Sequence, residues 1–251
     1  MKILVADGVS EKGIEILSKE FECEIRAKLP AEELLATIHE YDGLVVRSAS
    51  KVTKEVIEAA TNLKVIGRAG VGVDNIDIEA ATAKGIIVLN APEGNTIAAT
   101  EHTVAMMLSM ARNIPQAHSS VQNGEWKRNQ FVGVEMRGKT LGVIGLGRIG
   151  SGVAKRAIAF DMKVIGYDPY VNEERAKTMG IEVVSLEEIY ANADFISVHM
   201  PLTAQTKDLI NSETISKMKD GVYLVNCARG GIINEADLAE AVKAGKVAGA
   251  A

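Results

Sequence analysis

The stretch from Thr140 to Pro169 constrains the fold more than any other part of the sequence. It predicts a β-strand over Leu141 to Ile144, a glycine-rich turn, a helix from about Ile149 to Phe160 and a second strand over Met162 to Tyr167. A strand, a helix and a strand in this order form a βαβ unit, in which the two strands lie parallel in one sheet. The chain is therefore expected to contain an α/β domain.

The turn of this unit carries Gly145, Gly147 and Gly150 in the spacing G-x-G-x-x-G, and Asp168 follows the second strand. This pattern is typical of dinucleotide-binding sites, where the glycines bring backbone and helix N-terminus close to a pyrophosphate and the acid accepts the ribose hydroxyls. A 2′-phosphate would meet like charge at Asp168, so the pattern predicts NAD and not NADP. The alternative from these residues alone is a structural turn with an incidental acid.

Composition excludes several other classes of protein. The 251 residues are 47% apolar and 24% charged with a net charge of −5 and no basic run, so no nucleic-acid partner is expected. No uncharged apolar run reaches the roughly 20 residues of a membrane span. The only cysteines, Cys23 and Cys227, suit a reducing compartment. We expect a cytoplasmic protein without a membrane contact or a metal site.

Short apolar runs alternate with amphipathic segments through residues 1–94 and again after residue 140. Strands that alternate with helices predict parallel sheets, so we expect two doubly wound α/β domains. Residues 1–94 would form a small flavodoxin-like domain for substrate, and residues 95–251 a Rossmann domain for NAD. Because Val247 to Ala251 has the character of the start of a core strand, the second domain is expected to be incomplete at its C-terminal end.

Two loops of the first domain, Arg47-Ser48 and Gly70-Val71-Gly72, each follow a predicted strand. Ligands of doubly wound sheets bind beyond the carboxyl ends of the strands. A guanidinium can hold a carboxylate or phosphate, and the N–H groups of a glycine turn can surround an anion. The loops therefore suggest an anionic substrate, although a surface ion pair and an ordinary turn would explain them as well.

Residues 95–140 are expected to link the domains. Asn95 or Thr96 is predicted to cap a long helix that Pro115 ends, and Gln116 to Arg137 is predicted to be a loop. A loop of this length with large apolar residues usually needs a cover, so we interpret it as a dimer arm and expect a homodimer or higher homo-oligomer. The helix also carries an apolar stripe, which favours a core or subunit interface over a cofactor contact: Met106, Met107, Leu108 and Met110.

Five motifs along the chain resemble those of the D-isomer-specific 2-hydroxyacid dehydrogenases: GRAGVGVDNID (67–77), LGVIGLGRIG (141–150), YDP (167–169), SVHMPLTAQT (197–206) and NCARGGIINEADL (226–238). The resemblance covers the whole chain. It implies hydride transfer between the C4 atom of the NAD nicotinamide and the C2 atom of a 2-hydroxy or 2-oxo acid. The opening ILVADGVSEKGIEIL resembles the members of this family that act in serine biosynthesis, and this resemblance implies 3-phosphoglycerate and 3-phosphohydroxypyruvate as the substrates.

Carried over residue by residue, the resemblance makes Arg229 the catalytic arginine, which would hold the substrate carboxylate and polarise the carbonyl. The implied cofactor contacts are Arg148 and Ile149 at the pyrophosphate, Asp168 at the adenine ribose, and a wall formed by Met200, Cys227 and Ala228. The implied substrate contacts are Arg47, Ser48, Val71, Gly72 and Asn95. Val71 stands where threonine is frequent in the family, so a hydroxyl contact near the nicotinamide is expected to be missing.

The family's catalytic glutamate and histidine belong to a D-V-F-x-x-E-P stretch and a later P-H motif, which would lie beyond residue 251. Without them we expect the present chain to be inactive or nearly so. Of its own histidines, His39 and His118 are predicted on exposed segments and His102 within the long helix. His199, at a strand end beside the cofactor, is the tempting acid, but the family places its acid elsewhere, which favours a structural role.

Two other functions stay open at this point. One is a dehydrogenase of the glyoxylate or hydroxypyruvate reductase type, which would share every motif above. The other is an NAD-sensing co-regulator on the same fold, for which turnover would be incidental. A different dehydrogenase with a merely convergent Rossmann unit is disfavoured by the NCARGG motif and by the order of the domains.

Overall fold

Two parallel β-sheets, one in each half of the chain, organise the computed structural model, which describes all 251 residues. The chain divides into a first unit, Met1–Asn95, and a second unit, Thr96–Ala251. Every strand pair in both sheets is parallel. The prediction of two doubly wound α/β domains is confirmed.

The sheet of the first unit has the strand order β2-β1-β3-β4-β5. Its strands are β1 Lys2–Val5, β2 Glu22–Ile25, β3 Gly43–Val46, β4 Val65–Arg68 and β5 Ile87–Asn90. Its helices are α1 Glu11–Ser18, α2 Ala31–Thr37, α3 Lys54–Ala59 and α4 Ile78–Ala83, with a short 3₁₀ turn at Ile38–Glu40. The strand order reverses between β1 and β3, and ligands of such sheets bind at the crevice formed there.

Local sequence explains why two of these helices, α1 and α4, begin where they do. The hydroxyl of Ser10 accepts a hydrogen bond from Gly13 N–H at the start of α1, and the carboxylate of Asp77 accepts one from Ala80 N–H at the start of α4. Both side chains satisfy donors that the first turn of a helix leaves without partners. The core includes buried residues that lie side by side on neighbouring strands: Leu4 on β1, Leu44 on β3 and Ile66 on β4.

The sheet of the second unit has the strand order β11-β10-β9-β6-β7-β8, which is the dinucleotide-binding order. Its strands are β6 Thr140–Ile144, β7 Lys163–Tyr167, β8 Glu182–Val183, β9 Phe195–Val198, β10 Val222–Asn226 and β11 Val247–Ala250. Its helices are α5 Thr96–Ala111, α6 Ile114–Gln122, α7 Arg148–Ala159, α8 Glu173–Thr178, α9 Leu186–Asn192, α10 Ser212–Ser216 and α11 Glu235–Lys243, with a 3₁₀ turn at Arg128–Phe131. Here the strand order reverses between β6 and β9.

Two apolar cores cover the two faces of this sheet. Successive strand residues alternate between them, so that Val143 belongs to one core and Ile144 to the other. Met107 on α5 is buried in the first core, and its stripe neighbours pack against it. The apolar stripe is therefore part of the core, which is one of the two roles predicted for it, the other being a subunit interface. None of the helices combines the length and the apolar character that crossing a membrane would require.

The region around Pro115 differs from the sequence prediction, which ended one long helix there and left residues 116–137 as a loop. In the structure α5 ends at Ala111, Asn113 adopts a left-handed backbone with φ 53°, and a new helix begins at Ile114 with Pro115 in its first turn. Proline is suited to this position because a backbone N–H in the first turn has no partner within the helix, so nothing is lost when it is absent. The fixed φ of proline is also helical. Proline thus marks a helix start here, and residues 114–122 are helical.

Candidate functional site

The glycine turn after β6 is shaped by two glycines that cannot be replaced without displacement of neighbours. Gly145 has φ +98°, and a Cβ atom there would lie 2.5 Å from the carbonyl oxygen of His199. A Cβ atom on Gly150 would lie 1.9 Å from the carbonyl oxygen of Gly145. The missing Cβ atom of Gly150 lets the start of α7 pack directly against the end of β6, and that of Gly145 lets the segment after β9 approach the turn.

Gly147 differs from these two glycines because a Cβ atom on it would meet nothing within 4 Å. It is exposed and precedes α7, a helix of 12 residues whose N-terminus has no side-chain cap. Uncapped first-turn N–H groups and the helix dipole favour an anion at this place. Packing therefore gives no reason for glycine at position 147, whereas close approach of a phosphate does.

Asp168, directly after β7, is held against this turn. Its Oδ2 atom accepts a hydrogen bond of 2.9 Å from Leu146 N–H, and its Oδ1 atom accepts one of 2.8 Å from Tyr170 N–H. The residue is half-buried. A carboxylate oxygen has two lone pairs, so each oxygen can accept a further hydrogen bond from a ligand hydroxyl.

The loop after β9 packs against the glycine turn, on the side of Gly145. A Cβ atom on Gly145 would lie 3.0 Å from Met200 Cγ, which places Met200 in contact with the turn. The ring of His199 makes a 2.8 Å hydrogen bond through Nε2 to Ser197 Oγ. Burial lowers the pKa of His199 to about 4. The ring is therefore uncharged at neutral pH and has a partner inside the protein, which agrees with a structural role.

The loop after β10 carries Cys227, Ala228 and Arg229, all half-buried. The side chain of Asn226 fixes this loop, since its Oδ1 accepts from Ala228 N–H at 3.0 Å and its Nδ2 donates to the Arg229 carbonyl at 2.8 Å. The Arg229 guanidinium donates to the Ala228 carbonyl at 2.8 Å. The sequence analysis did not identify Asn226, although its position at a strand end, three residues before the predicted catalytic residue Arg229, was an available signal.

These loops lie along one edge of the sheet because β10, β9, β6 and β7 are consecutive neighbours. Arg229 follows the first of these strands, Met200 the second, the glycine turn the third and Asp168 the fourth. Three strand spacings separate the two ends of the row, roughly 14 Å. The predicted cofactor residues and Arg229 are thus brought to one edge, which suits an extended ligand.

In the first unit, Arg47 and Ser48 are exposed in the loop after β3, at the strand-order reversal. Val71 and Gly72 are half-buried after the neighbouring strand β4, and Asn90 Nδ2 donates to the Val71 carbonyl at 2.6 Å. Asn95 is exposed at the end of this unit, away from any strand. The structure thus places the first two pairs at adjacent strand ends.

Close packing against Arg68 explains the glycine at position 70. A Cβ atom there would lie 1.7 Å from Nη1 of Arg68, so the missing side chain makes room for that guanidinium. Gly70 does not adopt the left-handed backbone that an alternating anion-binding turn uses. The Nε atom of Arg68 is buried and makes no hydrogen bond within the protein.

Comparison with known proteins adds to this geometry. Residues 104–251 match the family model for the NAD binding domain of D-isomer specific 2-hydroxyacid dehydrogenase. The whole chain is similar to D-3-phosphoglycerate dehydrogenase of Archaeoglobus fulgidus, with 55% identity over 252 residues that are 100% of this chain and 48% of the relative. The chain therefore spans about half the length of the phosphoglycerate dehydrogenases that it matches.

Solved structures give the same picture. D-lactate dehydrogenase from Aquifex aeolicus, complexed with NAD and lactic acid, is similar with a TM-score of 0.88 and 34% identity over 100% of this chain and 75% of that chain. An acyclic imino acid reductase in complex with NADPH and D-Arg is similar with a TM-score of 0.91 and 31% identity over 100% of this chain and 81% of that chain. The chain belongs to the D-isomer specific 2-hydroxyacid dehydrogenase family.

Proposed function

We propose that the chain supplies the NAD-binding and substrate-binding parts of an NAD-dependent dehydrogenase that interconverts 3-phosphoglycerate and 3-phosphohydroxypyruvate for serine biosynthesis. The observation that carries the proposal is the hydrogen bond between Leu146 N–H and Asp168 Oδ2, which joins the glycine turn to the acid. The choice of substrate is supported by the name of the Archaeoglobus fulgidus relative, D-3-phosphoglycerate dehydrogenase.

The residues present fit a dinucleotide. The open space at Gly147 and the uncapped start of α7 suit a pyrophosphate, with the N–H groups of Arg148 and Ile149 as donors. Asp168, Met200, Cys227 and Ala228 would then border the adenosine and nicotinamide portions. When bound, NADH supplies a hydride to the 2-oxo acid, and NAD accepts one from the 2-hydroxy acid.

Arg229 is proposed as the catalytic residue of the second unit. A guanidinium at this edge would hold the substrate carboxylate and stabilise negative charge that develops on the substrate oxygen. In the first unit Arg47, Ser48, Val71, Gly72 and Asn95 are proposed to bind the acid groups of the substrate. Arg47 is suited to a phosphate because it is exposed at the reversal of strand order.

The test compares two polypeptides. One is the present chain; the other, called the extended protein below, continues it through the family's P-H motif and so contains the expected acid–base pair. The extended protein should oxidise NADH with 3-phosphohydroxypyruvate. The present chain should be slower by a factor of about 10² or more, because general acid–base help is absent. Comparable rates would reject the acid–base assignment, and no turnover by the extended protein would reject the substrate.

A second copy of the chain is proposed as the partner. Four large apolar residues are exposed on α6 and the segment after it: Ile114, Val121, Trp126 and Val132. Trp126 is 82% exposed and Val132 78% exposed, and apolar patches of this kind mark protein–protein contacts. Sedimentation of the chain should show a dimer that the double substitution Trp126→Asp, Val132→Asp converts to a monomer. A monomeric unsubstituted chain would contradict this assignment.

The cytoplasm is the proposed location. Both cysteines, Cys23 and Cys227, are free in the structure, which suits a reducing compartment. One relative, from Arabidopsis thaliana, is named as chloroplastic. Fractionation of cells that produce the protein, with immunodetection in each fraction, would decide its location.

A further inference from the structure

The loop after β3 is clamped from both sides by two polar side chains. Oδ2 of Asp7 accepts hydrogen bonds from the N–H groups of Arg47 and Ser50, and its Oδ1 accepts one of 2.9 Å from the Ser50 hydroxyl. From the other side, Nδ2 of Asn75 donates to the carbonyls of Arg47 and of Ser50, both at 2.6 Å. Both ends of the four-residue loop are therefore fixed through their N–H and C=O groups.

The burial of Asp7 shows that this clamp is more than a surface contact. Asp7 is only 3% exposed, and its partners named above are two amides and a hydroxyl. A buried carboxylate is tolerated when donors of this kind satisfy it, and the loss of one leaves a buried group unpaired. In the conformation observed, the loop satisfies all of these groups at once.

The clamp determines what the loop presents at the reversal of strand order. Because Arg47 and Ser50 are fixed, Ser48 and Ala49 form the exposed middle of the loop. The Arg47 side chain starts from a fixed backbone and donates from Nη1 to the Gly8 carbonyl at 3.1 Å, one residue after Asp7. The direction of the guanidinium therefore depends on the position of Asp7 and of the segment that follows β1.

We infer that Asp7 and Asn75 are positioning residues, which fix Arg47 and Ser48 in the geometry that binds the phosphate of the substrate. The inference rests on the proposed function, which assigns Arg47 and Ser48 to that substrate. Neither Asp7 nor Asn75 is proposed to touch the substrate. They hold the loop in its phosphate-binding conformation before the substrate binds. The free-energy cost of ordering the loop on binding is therefore lower, and the phosphate binds more tightly.

Two substitutions of nearly unchanged shape test the inference. Asp7→Asn replaces one acceptor oxygen by an NH₂ group, which then faces a donor, and Asn75→Asp replaces the only donor atom by an oxygen that faces two carbonyls. Asp42→Asn is the matched control, because Asp42 likewise accepts a backbone N–H, that of Lys2 at 2.9 Å, but lies before β3 at the opposite edge of the sheet.

The measurement is steady-state kinetics of the extended protein with 3-phosphohydroxypyruvate and with unphosphorylated hydroxypyruvate. Asp7→Asn and Asn75→Asp should each raise KM for the phosphorylated substrate about tenfold or more. The kcat for that substrate, the KM for hydroxypyruvate and the Kd of NADH should change less than about threefold. Asp42→Asn should leave all four constants within that range.

A purely structural role would give a different result. It would lower the active fraction, and therefore kcat for both substrates equally, together with the melting temperature. An unchanged KM for 3-phosphohydroxypyruvate in both variants would overturn the inference. If Asp7→Asn does not fold, Asn75→Asp and Ser50→Ala decide by the same criterion. If the unsubstituted extended protein does not turn over 3-phosphohydroxypyruvate, the proposed function and this inference are both overturned. This assay precedes the comparison of variants, so the two kinds of failure are distinguished.

Discussion

The backbone N–H of Leu146 donates a hydrogen bond of 2.9 Å to Oδ2 of Asp168, and so joins the glycine turn after β6 to the acid that follows β7. Tyr170 N–H holds the other oxygen at 2.8 Å. The carboxylate is therefore oriented before any ligand arrives, while each oxygen keeps a lone pair for a further donor. The turn after β6 and the acid after β7, which is the neighbouring strand, are thus joined directly by a hydrogen bond.

Two alanine substitutions should separate the role of the turn in folding from its role in binding. Gly150→Ala places a Cβ atom 1.9 Å from the Gly145 carbonyl oxygen, and should lower the free energy of unfolding by about 2 kcal/mol or more. Gly147→Ala meets no atom within 4 Å, and because Gly147 is the N-cap of α7 the change should lower the free energy of unfolding by no more than about 1 kcal/mol. It should nevertheless weaken NADH binding about tenfold, because its methyl group keeps the pyrophosphate away from the backbone.

Urea unfolding and NADH fluorescence titration of the present chain measure these two effects. An unchanged NADH affinity in Gly147→Ala would show that the pyrophosphate does not approach the turn at this point. Full stability of Gly150→Ala would show that α7 can shift away from β6 at little cost.

Substitution of Arg47 and of Arg229 by alanine should change different kinetic constants of the extended protein. Arg47→Ala should raise KM for 3-phosphohydroxypyruvate with little change in kcat, because a contact to the phosphate stabilises ground state and transition state alike. Arg229→Ala should lower kcat/KM for every 2-oxo acid, by a factor of about 10² or more, because it acts on the reacting group. If hydroxypyruvate suffers from Arg47→Ala as much as the phosphorylated substrate does, the assignment of Arg47 to the phosphate is wrong.

The buried ring of His199 predicts a pH dependence of stability. Burial lowers its pKa from 6.5 to about 4, so the unfolded chain takes up a proton at a higher pH than the folded chain. Stability from this group is therefore fully present above pH 6.5 and is lost as the pH falls toward 4. Between pH 7 and pH 5 the loss should be about 2 kcal/mol.

The check is urea unfolding at both pH values for the unsubstituted chain and for His199→Gln, which keeps a polar group near Ser197 but does not titrate. Carboxylates contribute equally to both proteins, so the difference between them isolates the histidine. Equal pH dependence of the two proteins would mean that His199 is protonated in the folded state at pH 5, and would reopen its candidacy as a proton donor.

Local patterns in the sequence were sufficient to predict the strands, the turn and the helix that carry the candidate cofactor residues Gly145 to Asp168 of the second unit. The spacing of Gly145, Gly147 and Gly150 and the position of Asp168 are properties of one βαβ unit, in which the contacts are short in sequence. Pro115 was misjudged because a proline is compatible both with the end of one helix and with the first turn of the next. The left-handed backbone of Asn113 decides between them, and a single sequence does not reveal it.

The contacts that tie the loops together could not be predicted in the same way. Asp7 meets Arg47 across 40 positions of sequence, and Asn75 meets it across 28. Such pairs depend on the order of strands in the sheet, which brings β1 and β3 side by side. Arg229 is a third case, since only the resemblance to a family gave it a catalytic role, and the hydrogen bonds of Asn226 that fix its loop became visible only with the structure.

The most direct test of the account is the affinity of the present chain for NADH and for NADPH, measured by fluorescence titration before and after Asp168→Ala. Glu174→Ala, an exposed acid on α8, is the control for the change in net charge. We predict that the unsubstituted chain and the control bind NADH at least about tenfold more tightly than NADPH, because Asp168 repels the 2′-phosphate. Asp168→Ala should weaken NADH and bring the two affinities within about threefold of each other. Equal affinities for NADH and NADPH in the unsubstituted chain would contradict the account.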